Sequence, residues 1–266
     1  MGNDADEIRN WWSTSIIDMS PGKISFRGNP IENLIGNISF PQMIWMMVRG
    51  GLPTNEEASL FEAALVAGVD HGPQAPSIAA ARMAATCGVG INNAMATGIN
   101  MLGDIHGGAG EQCAELFYEI SSRIDNGATF EKAIQEALRE WESGNGKIIS
   151  GFGHRFHKPI DPRAPRLLEL VRLAAKENIV SGKYADIAEA IQSHLSIKKD
   201  IAMNIDGATA VIFCELGFPA PLSRGLFCLS RSVGILSHAW EQIEQGGRNK
   251  GPMPPKYLPK YISKNT

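Results

Sequence analysis

The feature that most constrains the fold is a succession of helical patterns that leaves no room for long strands. Pro41 opens an apolar segment that stops at the pair Gly50-Gly51. Thr54, followed by Glu57 three residues later, has the spacing of a capping box. Gly, Pro or Ser-Gly separates the further helices, which are predicted at roughly 109–126, 128–143, 163–176, 183–195, 205–216 and 222–245.

Two Ala-rich segments between these helices, "APSIAAARMAATCG" and "INNAMATGINMLG", have small side chains that allow helices to pack closely. Near the start, "GKISFRGNPI" at 22–31 alternates apolar and polar residues between Gly and Pro, which is typical of a short hairpin. The end of the chain, rich in Pro and Lys, is not expected to be helical. The sequence therefore predicts an all-α fold with one short β-hairpin near the N-terminus.

Charge and hydropathy exclude several classes of partner. The 25 basic and 28 acidic residues leave a net charge of −3, which provides no overall attraction for nucleic acid or an anionic membrane. The best apolar run, "FPQMIWMMV", is far shorter than the ~20 residues that cross a bilayer, and the polar, acidic start does not resemble a secretory signal. Four cysteines without a C-x-x-C pair indicate reduced thiols. We expect a cytoplasmic protein that binds small molecules.

Three histidines stand at the breaks between helices: His71 in "DHGP", His106 in "DIHGG" and His154 in "FGHR". Each lies beside glycine at or near a helix end, where backbone N–H groups are unpaired and a ligand can approach closely. Histidine changes protonation near neutral pH, so this pattern favours acid–base chemistry. Each of them could instead be a satisfied core or capping residue.

Asp206 is a lone carboxylate in the apolar segment "AMNIDGATAVIF". Burial there would raise its pKa and make it a good base, although it could equally be the N-cap of the following helix. Arg155, Arg163 and Arg231 could bind carboxylates bidentately, and Lys198 with Lys199 suits a phosphate. Taken singly, each of these cations could simply be solvated.

A metal site is not expected, because no two histidines stand at i, i+4 on one helix and only His154 and His157 are close in sequence. His157 and His194 are assigned no role. A Ser nucleophile in G-x-S-x-G and a phosphate-binding loop are also missing from the sequence. What remains is acid–base chemistry on an anionic substrate.

The five motifs "DHGP", "GDIHGGAGE", "GFGHRFHKPIDPRA", "NIDG" and "GLFCLSRSVGILSH" occur in an order and spacing that resemble the citrate synthase superfamily. They are more similar to the short citryl-CoA lyases and to the citryl-CoA-cleaving module of ATP-citrate lyase. The similarity runs from about residue 14 to about residue 262.

The resemblance implies a citrate synthase-like multi-helical fold. A large domain would be formed by residues 1–112 and 207–266, and a small domain by residues 113–206 would close over the substrate. It also implies a homodimer or a higher homo-oligomer, in which an arginine, here Arg248, reaches the neighbouring active site. No tightly bound cofactor is expected, since the coenzyme A thioester is the substrate.

The resemblance also implies roles for individual residues. His106 would hydrogen-bond the thioester oxygen, and Asp206 would remove or return the methyl proton of acetyl-CoA. His154 would contact the keto or hydroxyl oxygen at the reacting carbon, taking the hydroxyl proton in cleavage, with Arg155 beside it. The remaining positions bind the acid, the acyl group or coenzyme A: His71, Arg163, Phe227, Arg231, Lys198 and Lys199.

These roles imply a citryl-CoA lyase, which forms acetyl-CoA and oxaloacetate. The short chain, "DHGP" and "NIDG" favour this interpretation, whereas His106 is typical of a synthase. A citrate or alkylcitrate synthase, which condenses oxaloacetate with an acyl-CoA, is the alternative. A further alternative is a non-catalytic relative that binds coenzyme A.

Overall fold

The computed structural model describes residues 2–196 and 201–263, with side chains from residue 6 onward. Twelve helices and one small sheet in this part of the chain confirm the predicted all-α class. Lys198 and Lys199 lie outside the described residues. The helices are α1 (Gly2–Trp11), α2 (Ile31–Leu34), α3 (Phe40–Arg49), α4 (Asn55–Ala67), α5 (Pro76–Ala85), α6 (Ile91–Ile99), α7 (Ala109–Asp125), α8 (Phe130–Asn145), α9 (Arg163–Lys176), α10 (Lys183–Ser196), α11 (Ile205–Glu215) and α12 (Ala220–Glu244).

Residues 1–62 form one compact unit, which holds the sheet. Strands β1 (Ile17–Ser20), β2 (Lys23–Phe26) and β3 (Asn29–Pro30) pair antiparallel in the order β1-β2-β3. The predicted hairpin is confirmed as β2–β3, but the prediction lacked β1 and α1. All four residues of β1 are exposed, so the strand has no buried face, and its alternation of apolar and polar residues spans only four positions.

The capping box predicted at the start of α4 is confirmed. The Thr54 backbone N–H donates to Glu57 Oε2 at 2.8 Å, and the Glu57 N–H donates to Thr54 Oγ1 at 3.1 Å. These two bonds satisfy backbone donors that the first turn of a helix leaves unpaired.

Residues 63–266 form the second unit, and α11 lies in its interior. Eight consecutive residues of α11, from 207 to 214, are buried, and the helix packs against α7, α9 and α10. Such a helix is apolar on all sides, which is why its sequence shows little amphipathic pattern. The division into domains of 1–112 with 207–266 and of 113–206 stays a prediction.

The long helix α12 packs against α5, α6 and α7. Its contacts with α5 and α6 are made mainly by small residues, which form a cluster of Ala75, Ile78, Ala81, Ala94, Ile235 and Ala239. None of the helices described is both long and apolar enough to cross a bilayer. After α12, residues 246–263 contain no helix, as the sequence predicts.

Gly98 on α6 allows this close helix packing. A Cβ atom at this position would lie 2.8 Å from Ile235 Cγ2 and 2.9 Å from the Ser77 carbonyl oxygen. We expect Gly98→Ala to lower the free energy of unfolding by roughly 1–3 kcal/mol, as overpacking of a core does. Urea denaturation measures the change.

Gly225→Ala on α12 is the matched control, because nothing lies within 4 Å of a Cβ atom there. An exposed helical Gly→Ala change should instead stabilise the protein by up to about 1 kcal/mol. Equal effects of the two substitutions would contradict close packing at Gly98.

Candidate active site

The candidate site is organised by a short backbone pairing between two loops distant in sequence. The Gly153 N–H donates to Ala202 O at 2.7 Å, and the Asn204 N–H donates to Gly151 O at 3.0 Å. The Asn204 side-chain amide also donates to Gly153 O at 2.6 Å. This antiparallel bridge, in which Phe152 pairs with Met203, joins the loop that carries His154 to the residues just before Asp206.

Asn204 is the N-cap of α11. Its Oδ1 accepts hydrogen bonds from the N–H groups of Asp206 at 2.9 Å and Gly207 at 3.2 Å. The Asp206 carboxylate is thus not needed as the cap, and it makes no hydrogen bond within residues 2–196 and 201–263. Burial raises its pKa, while the positive charges of Arg231 and Arg163 oppose that rise. A half-buried carboxylate with a raised pKa can exchange a proton with a bound molecule.

Asp161, which the sequence interpretation overlooked, links the arginine of the "DPR" motif to α11. Its fully buried carboxylate accepts hydrogen bonds from Arg163 Nε at 3.0 Å and Nη2 at 2.8 Å, and from the Ile205 N–H at 3.1 Å. Burial by itself would raise the pKa of Asp161, but these hydrogen bonds and the Arg163 charge lower it overall. An Asp two residues before an Arg at a helix start was the signal for this arrangement.

His106 lies in a tight loop before α7, and its ring contacts the first turn of α5. Its Nε2 is 3.2 Å from the Ser77 backbone nitrogen and 3.0 Å from Ser77 Oγ. A backbone N–H can only donate, so Nε2 carries the lone pair and Nδ1 carries the proton. Burial, and then Arg231, lower the pKa of His106. The neutral ring therefore offers an Nδ1–H donor to a ligand.

A second set of rings consists of His71, His154 and His157. The ring centroids of His154 lie 5.0 Å from His71 and 4.5 Å from His157. Nδ1 of His154 accepts the N–H groups of Phe156 at 3.0 Å and His157 at 2.9 Å, which leaves the proton of the neutral ring on Nε2. Burial is the main cause of the lowered pKa values of His71 and His154, and nearby cations contribute.

One ring nitrogen from each of these three histidines lies within 4.8 Å of the others, the spacing of a metal site. A metal ligand needs a lone pair on the nitrogen that faces the ion. Because His154 Nδ1 is occupied by backbone donors, its Nε2 carries the proton and has no free lone pair. The donor chemistry therefore fits an anion better than a metal ion.

The α12 helix fixes the segment that leads to His71. Ser230 Oγ donates to Leu65 O, and Arg231 Nε donates to Gly68 O at 3.0 Å. Arg231 is 5% exposed, and its guanidinium lies 4.9 Å from the centroid of the Phe227 ring. This buried cation is therefore held by the backbone and by an aromatic face on its own helix.

Two arginines connect the predicted site residues electrostatically. Arg231 affects the pKa values of His71, His106 and Asp206, and Arg163 affects those of His71, His154 and Asp206. The structure thus brings together most of the residues that the sequence singles out: His71, His106, His154, Arg163, Asp206, Phe227 and Arg231.

A cleft of about 1030 Å³ opens beside this cluster. His154 and Asn204 line it, and Trp141 of α8 contributes an aromatic side chain. The exposed Arg155 and Lys158 also line it, so Arg155 belongs to the cleft rather than to the buried cluster. Arg248 lies in the exposed segment after α12 and makes no contact with the cluster in the described part of the chain.

Comparison with known proteins identifies the family of the chain. Citrate synthase of Saccharolobus solfataricus is 32% identical over 202 residues, which cover 74% of this chain and 51% of that protein. The chain spans about half the length of the curated relatives that it matches.

Two solved structures share the fold. Citryl-CoA lyase from Hydrogenobacter thermophilus has a TM-score of 0.83 and 31% identity, covering 97% of this chain and 96% of that one. The second is citrate synthase from Thermoplasma acidophilum in a ternary complex with carboxymethyl coenzyme A and oxaloacetate. It has a TM-score of 0.67 and 26% identity, and the match covers 86% of this chain and 59% of that one. Residues 55–252 match the family described as "Citrate synthase, C-terminal domain". This chain belongs to the citrate synthase family.

Proposed function

We propose that the protein is a citryl-CoA lyase, which cleaves citryl-CoA or a close analogue to acetyl-CoA and oxaloacetate. One observation carries the proposal. The charges of Arg163 and Arg231 act on the Asp206 carboxylate and on the rings of His71, His106 and His154, and His154 lines an open cleft. The similarity to a citryl-CoA lyase over nearly the full length of both chains supports it.

Cleavage breaks the bond between the hydroxyl-bearing carbon and the CH₂ group next to the thioester. The electron pair of that bond moves onto the thioester, which becomes an enolate, and Nδ1–H of His106 stabilises the negative oxygen. Asp206 in its protonated form then delivers a proton to the CH₂ carbon and yields the acetyl thioester. Its raised pKa favours this role.

The hydroxyl oxygen loses its proton and becomes the keto oxygen of oxaloacetate. His154 donates Nε2–H to this oxygen, because its Nδ1 already accepts two backbone hydrogen bonds. The proton therefore passes to a neighbouring ring, and His71, with a lowered pKa, has a lone pair available near neutral pH. The positive charges of Arg163 and Arg231 neutralise the negative charges of the substrate carboxylates.

The cleft beside His154 has the volume and the cations for a coenzyme A chain. We assign Arg155 and Lys158 to its phosphate groups and Trp141 to an apolar wall. Lys198 and Lys199 are also assigned to coenzyme A, and for them the resemblance is the only support. No tightly bound cofactor takes part in the proposed steps.

A citrate or alkylcitrate synthase is the second candidate, favoured by the names of the curated relatives and by His106. Incubation with citryl-CoA separates the two activities. A lyase forms acetyl-CoA and oxaloacetate, whereas a synthase that hydrolyses the thioester forms citrate and free coenzyme A. Chromatography of the products measures the ratio, and free coenzyme A as the main product would contradict the lyase proposal.

The role of Asp206 is tested by Asp206→Asn, which removes the transferable proton but keeps the side-chain shape. We expect turnover to fall at least about a hundredfold, with ligand affinity changed little. Steady-state kinetics and a coenzyme A titration measure the two quantities. Asp186→Asn is the control, because Asp186 is an exposed residue of α10 paired with Arg172. Near-normal turnover of Asp206→Asn would remove it from proton transfer.

The exposed face of α12 supports a homodimer. Leu229, Val233, Leu236, Trp240 and Ile243 are spaced by 4, 3, 4 and 3 residues, and each is 41–54% exposed. This is the period of a seam between packed helices, whereas the opposite face of α12 contacts the core. Pairing of two α12 helices would also bring Arg248, four residues beyond the helix end, towards a partner subunit.

We expect Leu236→Glu to convert the dimer to monomers, because it places a charge in the apolar seam. Light scattering coupled to size-exclusion chromatography measures the mass. Leu173→Glu on α9, where the leucine is 46% exposed and outside the stripe, should leave the dimer intact. A monomeric wild type, or a dimeric Leu236→Glu variant, would contradict the seam.

A further inference from the structure

His157 is a half-buried histidine to which neither the sequence interpretation nor the proposed reaction gives a role. Its ring centroid lies 4.5 Å from that of His154, at an interplanar angle of 36°, and 5.9 Å from that of His71. Its backbone N–H donates to His154 Nδ1 at 2.9 Å. His157 therefore contacts the cluster both through its backbone and through its ring.

One side-chain nitrogen from each of the three rings lies close to a common point. One nitrogen from each of His71, His154 and His157 lies within 4.8 Å of the others, so one small polar group can contact all three. Even a neutral imidazole offers one N–H donor, and the proton of the neutral His154 ring lies on Nε2. A donor on His157 beside the His154 donor matches a ligand that carries a carboxylate next to its reacting oxygen.

The surroundings of this point are also suited to an anion. The charges of Arg163 and Arg231 act on His71, and the nearby carboxylate of Asp161 is already occupied by Arg163 and the Ile205 N–H. The two arginines and the N–H donors of the rings attract a negative ligand. The ring of Phe156 lies beside the cluster, with its centroid 6.2 Å from that of His71.

We propose that His157 is a further ligand-binding residue, which donates a hydrogen bond from its ring to a carboxylate of the oxaloacetate half of the ligand. The inference rests on the proposed function, because that function supplies the dicarboxylate. His154 binds the reacting oxygen, and His157 beside it selects for an acid that carries a carboxylate next to the keto or hydroxyl carbon.

The test is the binding of oxaloacetate to His157→Phe, which keeps an aromatic ring against His154 but removes the donor. We expect the dissociation constant for oxaloacetate to rise about ten- to hundredfold, the loss typical of one hydrogen bond to a charged group. Affinity for coenzyme A should stay unchanged. Isothermal titration calorimetry measures both, and His194→Phe, on an exposed position of α10, is the matched control.

Substitutions that restore a hydrogen-bond donor but not the ring test whether oxaloacetate affinity is rescued. Asn and Gln place an amide N–H near the positions of imidazole Nδ1 and Nε2, so either His157→Asn or His157→Gln should recover part of the oxaloacetate affinity. In turnover, His157→Phe should raise KM for the ligand that carries the dicarboxylate and change kcat little. If His157→Phe does not fold, judged by its thermal unfolding, His157→Leu replaces it in the same titrations.

Three outcomes would overturn the inference. If His157→Phe binds oxaloacetate as tightly as the wild type, His157 has no part in binding, while the proposed function stands. If the wild type itself binds no oxaloacetate, both the proposed function and this inference fail. If a chelator abolishes oxaloacetate binding by the wild type, the three rings hold a metal ion instead.

Discussion

The whole site depends on the attachment of the 151–163 loop to the N-terminus of α11. The backbone bridge between Gly151–Gly153 and the residues before α11 makes this attachment, and the Asp161 carboxylate reinforces it at Ile205. Gly207 lets the loop approach, because any side chain there would collide with the Gly151 carbonyl. Without these contacts, the histidine of the loop and the carboxylate of α11 would have no defined separation.

Desolvation determines how the grouped residues behave. It raises the pKa of Asp206 and lowers those of His71, His106 and His154, so the carboxyl group and the rings all shift towards neutral forms. Neutral groups can donate or accept single protons near pH 7, which enolate chemistry requires. The two arginines retain positive charge in the same region, and a polycarboxylate ligand supplies the opposite charge.

Backbone N–H groups determine which nitrogen of His106 and of His154 carries the proton. Ser77, in the first turn of α5, donates its N–H to His106, and the turn at Phe156 and His157 does the same for His154. The backbone thus orients two histidines as donors from opposite nitrogens. These bonds involve main-chain groups, so no residue type in the sequence indicates them, and Ser77 was not recognised as part of the site.

The sequence by itself determined the helical class, the capping box at Thr54, the hairpin at β2–β3, and the set of motif residues, because these depend on local patterns and on residue chemistry. It did not reveal β1, whose four residues are all exposed and too few for a clear pattern, or the roles of Asp161, Asn204 and His157. Only the tertiary structure decided that Asn204 caps α11, that Asp161 occupies Arg163, and that His157 joins His71 and His154. The physical reason is that loops distant in sequence must meet before a hydrogen bond, a pKa shift or a shared ligand can exist.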